Sequence, residues 1–159
     1  MKIQYGLQMT QNLNDFLTTQ TNKKYATQSG TKIHALLKNI VLDNKSGDVG
    51  NSEIIEQIKQ YPELKQFFGP SAQTEVPIAG HINNVFLSRR IDRLLIDTQN
   101  KSIMFIDYKT DINKETFIDI YKKQLREYAQ LLQSAFPGYK ITGFILWIHD
   151  WQLEQIIYL

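Results

Sequence analysis

Two apolar runs separated by a short polar segment are the clearest feature of the hydrophobic pattern. The runs from Leu94 to Ile96 and from Ile103 to Ile106 flank polar residues at Thr98 to Lys101, a pattern that predicts a β-hairpin. Successive positions in both runs are apolar, so both faces of each strand are expected to be covered, as in the central hairpin of a sheet. A short turn centred between Gln99 and Asn100 sets the register of the two strands.

Helical spacing of apolar residues marks the segments on either side of the hairpin. Ile33, Leu37 and Ile40 predict a helix with Thr31 as its N-cap. The other predicted elements, in chain order, are a helix capped by Ser52, a short helix from Glu63 to Phe68, a strand from Gln73 to Ala79, a turn from Gly80 to Asn84, a long helix after Asn113 to Ala135, and strands at Lys140 to His149 and Gln152 to Tyr158.

The order of these elements predicts the fold class. Helices, three strands, a long helix and two strands predict an α/β fold with a mixed β-sheet flanked by helices, in which the long helix is the crossover. Residues 1–29 are polar and rich in Gln, Asn and Thr, and we interpret them as an N-terminal arm or linker with one short helix near Leu13 to Leu17. The folded domain is therefore expected to occupy residues 30–159.

Composition narrows the class of protein. A chain of 159 residues with 42% hydrophobic and 21% charged residues is ordinary for one soluble domain. The absence of cysteine excludes disulfides, thiolate zinc sites and an iron–sulfur cluster, and the absence of a phosphate-binding loop excludes an ATP-driven motor in this chain alone. No apolar run is long enough for a transmembrane helix or a signal core, so a cytoplasmic location with no membrane contact is expected. A net charge of +2 permits nucleic-acid binding without indicating it.

Charged residues at one end of the predicted hairpin indicate metal chemistry. In the predicted register Asp92 lies opposite Asp107 with Cβ atoms about 5 Å apart, and Asp107 and Lys109 project to the same face. Two carboxylates this close repel each other unless a cation lies between them, and carboxylate oxygens favour Mg²⁺. The simpler interpretation is an exposed salt bridge, which the apolar flanking residues argue against, because buried charge is costly unless it has a partner.

Four further residues are candidates for the same site, each with a simpler interpretation. His34, on the first helix, is either a partly buried structural residue or a metal ligand. Glu75, on the first strand, is with equal weight an exposed carboxylate or a further acidic group near the metal. Gln124 and Tyr128 share one face of the long helix. Tyr128 suits the core, whereas the amide of Gln124 is suited to a hydrogen bond with the active-site strand or a phosphate.

Two basic clusters are candidate phosphate contacts. For the cluster on the long helix a solvated surface is the simpler interpretation, whereas the arginines around Asp92 are close enough to pair with a carboxylate or a phosphate. The members of the two clusters are Lys122, Lys123 and Arg126 on the helix, and Arg89, Arg90 and Arg93 on the strand.

Five short motifs follow one another in a specific order. They are Gly-Thr-Lys-Ile-His-Ala-Leu-Leu at 30–37, Glu-Val-Pro at 75–77, Arg-Ile-Asp-Arg-Leu at 90–94, Ile-Asp-Tyr-Lys-Thr at 106–110 and Gln-Leu-Arg-Glu-Tyr-Ala at 124–129. In this order, over about residues 30–148, the chain resembles the RecB/AddA-type nuclease domain of the PD-(D/E)xK superfamily.

The resemblance implies a restriction-endonuclease-like core and a metal-dependent deoxyribonuclease, with exonuclease action favoured, that works in DNA repair and recombination. It implies that Asp92, Asp107, His34 and the backbone carbonyl of Tyr108 hold Mg²⁺ or Mn²⁺. It further implies that Lys109 orients or activates the attacking water and steadies the charge that develops on the phosphate.

Other positions match the family less completely. The resemblance implies that Glu75 belongs to the first-strand motif and that Gln124 and Tyr128 form the Gln-x-x-x-Tyr motif near the DNA. Arg89 stands where the family usually has glycine, no cysteine is present for the iron–sulfur cluster of some relatives, and no helicase motif precedes the domain. The chain is therefore either a detached nuclease domain, with a helicase domain or subunit fused or bound upstream as a candidate partner besides DNA, or a stand-alone relative. The alternative is a catalytically inactive nuclease-like module for nucleic-acid binding or assembly.

Overall fold

The structure is a computed structural model that describes residues 23–159, with side chains from residue 30 onward. The short helix predicted near Leu13 to Leu17 lies outside the described residues. The elements are α1 (Lys23–Lys38), α2 (Ser52–Lys59), a 3-10 helix (Pro62–Phe68), β1 (Gln73–Ile82), β2 (Val85–Asp97), β3 (Ser102–Lys109), α3 (Lys114–Ala135), β4 (Lys140–Trp147) and β5 (Gln152–Tyr158).

The strands form one five-stranded sheet in the order β1-β2-β3-β4-β5. Neighbouring strands are antiparallel except β3 and β4, which are parallel and are joined by α3. A parallel pair requires such a crossover, because a short turn only reverses the chain direction. The predicted α/β fold, with a mixed sheet flanked by helices, is confirmed and is consistent with a restriction-endonuclease-like core.

The register of the β2–β3 hairpin is the predicted one. Arg93 pairs with Ile106 and Leu94 pairs with Phe105. Asp92 follows immediately beyond the last of these pairs and accepts a hydrogen bond from the backbone N–H of Tyr108 at 2.7 Å. The hairpin therefore brings the two segments that carry the acidic residues side by side, as the turn position predicts.

Two hydrophobic clusters cover the two faces of the sheet. On one face, Ile106 and Tyr108 of β3 pack with residues of α1, α2 and the 3-10 helix. On the other face, Ile103 and Phe105 of the same strand pack with the apolar face of α3. Each fully buried aliphatic side chain stabilises the fold by roughly 1.5–3 kcal/mol. Burial on both faces explains why the sequence of β3 is continuously apolar instead of alternating.

Both predicted helix N-caps, Thr31 and Ser52, are wrong. α1 begins at Lys23 and continues through Gly30 and Thr31, so Thr31 does not cap it. A glycine inside a helix costs only about 1 kcal/mol, which the burial of Ile33 further along the helix offsets. α2 is capped by Asn51, whose side chain accepts a hydrogen bond from the N–H of Ile54 at 3.1 Å.

The β1–β2 turn is shorter than predicted. β1 extends to Ile82, and the turn consists of Asn83 and Asn84, with φ of 51° and 63°. Asparagine tolerates this left-handed region, which a two-residue hairpin turn requires at both positions. Gly80 was predicted to begin the turn but lies within β1, where an added Cβ would lie 3.0 Å from a methyl group of Leu131. The close approach of α3 to the strand accounts for this glycine.

None of the described helices is both long enough and apolar enough to cross a lipid bilayer.

Candidate active site

A cleft of about 690 Å³ lies where α1 meets the ends of the strands that carry the acidic residues. Its walls include His34, Glu75 and Asp92, together with Lys38 and Arg90. Residues of four of the five sequence motifs therefore line one cleft, because the β1–β2 and β2–β3 registers align the strand positions beside α1. We take this cleft as the candidate active site.

Asp92 is held at the floor of the cleft by two contacts. Asp92 is only 7% exposed, and its Oδ2 accepts a hydrogen bond from the backbone N–H of Tyr108 at 2.7 Å. Its Oδ1 lies 3.3 Å from Nδ1 of His34. Burial lowers the pKa of His34, but the hydrogen bond to Asp92 and the charges of Asp92 and Asp107 outweigh it, so the net pKa is raised. The imidazole ring also packs edge-on against Tyr108, with ring centroids 5.3 Å apart.

Asp107 and Lys109 form a buried ion pair beside Asp92. Nζ of Lys109 lies 2.5 Å from Oδ2 of Asp107, and the two side chains are 13% and 5% exposed. Burial raises the pKa of Asp107, and the positive charge of Lys109 opposes that rise. The Lys109 ammonium also lies 4.1 Å from the centre of the Tyr121 ring, a cation–π contact.

Gln124 and Tyr128 of α3 complete a hydrogen-bonded chain with this pair. Lys109 donates to Oε1 of Gln124 at 3.0 Å, and the Gln124 amide donates to the Tyr128 hydroxyl at 2.5 Å. Tyr128 in turn donates to Oδ1 of Asp107 at 3.4 Å. Burial and the charge of Asp107 raise the pKa of Tyr128, which keeps its hydroxyl protonated as a donor. The predicted shared face of Gln124 and Tyr128 thus positions Lys109.

His34, Glu75 and Asp92 offer a candidate metal centre. One ligand atom from each lies within 4.8 Å of the others. The two carboxylates match the oxygen donors that Mg²⁺ and Mn²⁺ take in proteins, whereas an imidazole nitrogen is a donor more typical of transition metals. The cluster as a whole therefore fits a divalent metal ion. Glu75 has φ of 54°, in the left-handed region, and such strain in a residue other than glycine is frequent at functional sites.

The structure separates the predicted metal ligands into two neighbouring groups. His34 and Asp92 lie together with Glu75, which the sequence alone left undecided. Asp107 belongs instead to the ion pair with Lys109, on the side of the site that faces α3. The assignment of Asp107 and of the Tyr108 carbonyl as metal ligands stays a prediction.

The three arginines around Asp92 have different surroundings. Arg93 is 1% exposed, and its guanidinium donates to carbonyl oxygens of α1, the segment after it and the 3-10 helix and to the Tyr108 hydroxyl. Nε, Nη1 and Nη2 of Arg93 thus each donate within the protein, which gives this residue a structural role, and its contact with DNA stays a prediction. Arg89 donates to Glu127 of α3 at 2.9 and 3.0 Å. Arg90 is exposed and donates to Glu75 at 2.9 Å.

The basic cluster on α3 lies largely at the surface. Lys123 and Arg126 are exposed and Lys122 is half-buried. None of the three lines the cleft described above. Their contact with DNA stays a prediction, and a solvated helix face accounts for their positions.

Two residues of the site were missed in the sequence. Tyr121 has the spacing of an apolar residue on the long helix, yet its ring lies against Lys109 and its hydroxyl donates to Asp111. Asp111 also lines the cleft. The available signal was helical spacing, since Tyr121 lies three residues before Gln124 and seven before Tyr128 on the same helix.

The chain shares little sequence with the known proteins to which it can be compared. The chain has no match among protein-family models and none at a significant level among curated proteins. Among solved structures, it is similar to a candidate exonuclease from Eubacterium rectale, with 13% identity and a TM-score of 0.40. The match covers 96% of this chain and 58% of that protein, so the chain spans a little over half of its length. Because this similarity is low, the function below is inferred from the geometry of the site.

Proposed function

We propose that the chain is a divalent-metal-dependent nuclease that hydrolyses phosphodiester bonds of DNA. The observation that carries the proposal is the side-by-side placement of two groups at one end of a buried hairpin. One is the His34–Glu75–Asp92 cluster, and the other is the ion pair of Asp107 with Lys109. The first provides ligands for a hard cation, and the second presents a fixed ammonium group beside it.

The proposed roles follow from these contacts. A divalent cation held by His34, Glu75 and Asp92 would polarise the phosphate and lower the pKa of a water molecule. Lys109 is held by Asp107 and Gln124, so its charge is preorganised for the charge that develops on the phosphate oxygens. Preorganisation matters because a charge already fixed in place does not have to reorient during the reaction.

The finer assignment rests on the resemblance of the sequence motifs. We propose a RecB/AddA-type enzyme that acts as an exonuclease in DNA repair and recombination, in the cytoplasm, with a helicase domain or subunit as partner. The order of the motifs supports this assignment, and so does the Lys109–Gln124–Tyr128 chain, which gives the Gln-x-x-x-Tyr motif a structural role. The alternative is a nuclease-like binding module without activity.

Incubation of the chain with linear and covalently closed circular DNA tests the proposal. Assays contain Mg²⁺, Mn²⁺ or EDTA, and compare the wild type with Asp107→Ala and with Asp119→Ala, an exposed aspartate of α3. The expected result is metal-dependent digestion of linear DNA that Asp107→Ala abolishes and Asp119→Ala retains. Sparing of the circles identifies an exonuclease. Equal rates for wild type and Asp107→Ala would refute the assigned site, and metal binding without digestion would favour the binding module.

A further inference from the structure

The two faces of the β1–β2 hairpin differ in what covers them. Val76, Ile78 and Gly80 point to the face that α3 covers, where they are partly buried. The alternate residues are all exposed, and we call their surface the open face. The open face consists of Pro77, Ala79 and His81 on β1 and Phe86, Ser88 and Arg90 on β2.

The open face is continuous with the candidate active site. Pro77 pairs with Arg90 and His81 pairs with Phe86, so the same alternation leads along both strands from the cleft to the turn. A second concavity, of about 620 Å³, is lined by Glu75 and Arg90, which both also line the main cleft. Phe86 therefore lies at the far end of a surface that begins at the metal cluster.

The composition of the open face changes along its length. Arg90 lies nearest the cleft, and its Nη1 donates to Glu75 at 2.9 Å. Its side chain is nevertheless 68% exposed, so the guanidinium reaches the surface as a candidate phosphate partner. Ala79 and Ser88, in the middle of the open face, have small side chains that project little from the sheet. At the turn end, Phe86 is 61% exposed and contacts the His81 ring edge-on at 5.4 Å.

We propose that the open face binds single-stranded DNA and leads it to the active site, with a base stacked on Phe86 and His81 and a phosphate at Arg90. This inference rests on the proposed nuclease function. Exposed aromatic rings that follow a basic group along a groove suit a single strand, because each unpaired base offers a flat face for stacking. Bases in an intact duplex are already stacked on their neighbours and cannot do so.

The length of the open face matches a short oligonucleotide. Phe86 and Asp92 are six positions apart on β2, which is about 20 Å at a rise of about 3.4 Å per residue. This distance corresponds to about six stacked nucleotides, at about 3.4 Å per nucleotide along one strand. A protein partner on the same apolar tip would have no such relation to the active site.

Binding of a fluorescent twelve-nucleotide oligo(dT) without metal tests the inference. The wild type is compared with Phe86→Ala, Phe86→Trp and Val85→Ala. Val85 is a matched control because it is 59% exposed on the same hairpin, but its side chain lies on the opposite face of β2 from that of Phe86. We expect about a tenfold weaker affinity for Phe86→Ala, as for the loss of one base–aromatic stack. Phe86→Trp should keep the affinity and show quenching of the new indole, and Val85→Ala should bind within about twofold of wild type.

Two results would overturn the inference. One is wild-type affinity for Phe86→Ala, which would assign this surface to another partner, and the other is an equal loss for Val85→Ala. A blunt duplex provides a further test, because an equal loss of duplex binding in Phe86→Ala would also contradict base stacking. Digestion of linear DNA is assayed separately. If the wild type digests DNA but Phe86→Ala binds the oligonucleotide as tightly as the wild type, only the proposed role of the open face is refuted. If Phe86→Ala binds more weakly but the wild type digests no DNA, only the proposed nuclease function is refuted.

Discussion

Two lysine–aspartate pairs in this protein have similar geometry and opposite surroundings. Lys109 lies 2.5 Å from Asp107, and Lys59 lies 2.7 Å from Asp48. The first lysine is 13% exposed at the side chain and the second 41%. A surface pair contributes little to stability, whereas a buried pair must overcome the desolvation of both charges. The buried pair is therefore better explained by what it does than by the stability it adds.

The same contrast between a buried and an exposed side chain distinguishes Arg93 from Arg90 on β2. Substitution of Arg93 is expected to have the largest effect. Arg93→Met should lower the free energy of unfolding by about 3–5 kcal/mol, because it leaves the carbonyl groups of Leu37, Ile40 and Phe67 without their buried donor. Arg90→Met, at an exposed position, should change it by less than about 0.5 kcal/mol. Urea denaturation measures both. Equal losses would contradict the assignment of Arg93 as a structural residue.

Removal of one proposed metal ligand should be the next largest effect. Asp92→Asn is expected to weaken Mn²⁺ binding by about 10- to 100-fold. Loss of a residue that only hydrogen-bonds to a metal ligand can already weaken metal binding by this factor. Asp48→Asn, in the exposed pair, should leave it unchanged. Titration calorimetry without DNA measures the affinity, so a general loss of activity cannot be mistaken for a loss of metal. Undiminished Mn²⁺ binding in Asp92→Asn would place the metal elsewhere.

Loss of the group that positions Lys109 should have a smaller effect. Gln124→Ala is expected to lower kcat about tenfold with little change in KM, because the ammonium loses its acceptor on α3 and part of its fixed orientation. Gln124→Glu keeps an acceptor at this position and should recover most of the rate. Gln133→Ala, an exposed glutamine of the same helix, serves as the control. A change in KM alone would indicate that Gln124 acts in DNA binding.

The smallest effect concerns His149, a partly buried histidine away from the metal cluster. Burial lowers its pKa, and the charge of Lys114 adds to this effect while Asp150 opposes it. Because the folded-state pKa lies below the unfolded one, protonation favours the unfolded chain. The stabilising effect of the neutral His149 side chain is therefore complete above about pH 6.5 and declines as the pH falls below that value. His149→Asn should flatten this dependence in urea denaturation, and an unchanged slope would contradict it.

Much of the sheet was predictable because local rules determine it. The β2–β3 register follows from the position of a polar turn between two apolar runs, and the long helix follows from its spacing and the cap at Asn113. The end of β1 was mispredicted at Gly80, since glycine is frequent in turns. Here Gly80 serves the close packing of α3, a tertiary contact that no local pattern contains.

Part of the candidate site was also predictable, because local rules determine the positions of some of its residues. Asp107 and Lys109 alternate on one strand, so their shared face followed directly from strand geometry. The place of Glu75 depends on the β1–β2 register, which the misplaced turn obscured. Arg93 was predicted to pair with a carboxylate or a phosphate, because arginine is seldom fully buried. Only the carbonyl groups of α1 and the 3-10 helix around it explain its burial.

The most direct test compares the two lysines in one DNA digestion assay. Lys109→Ala and Lys59→Ala are assayed with linear DNA and Mn²⁺, and Mn²⁺ affinity is measured for both. Loss of a preorganised charge should lower the rate of Lys109→Ala by about 10²–10³-fold, with Mn²⁺ affinity nearly unchanged, whereas Lys59→Ala should retain the wild-type rate. If Lys109→Ala digests DNA as fast as Lys59→Ala, the buried pair is not part of a nuclease site.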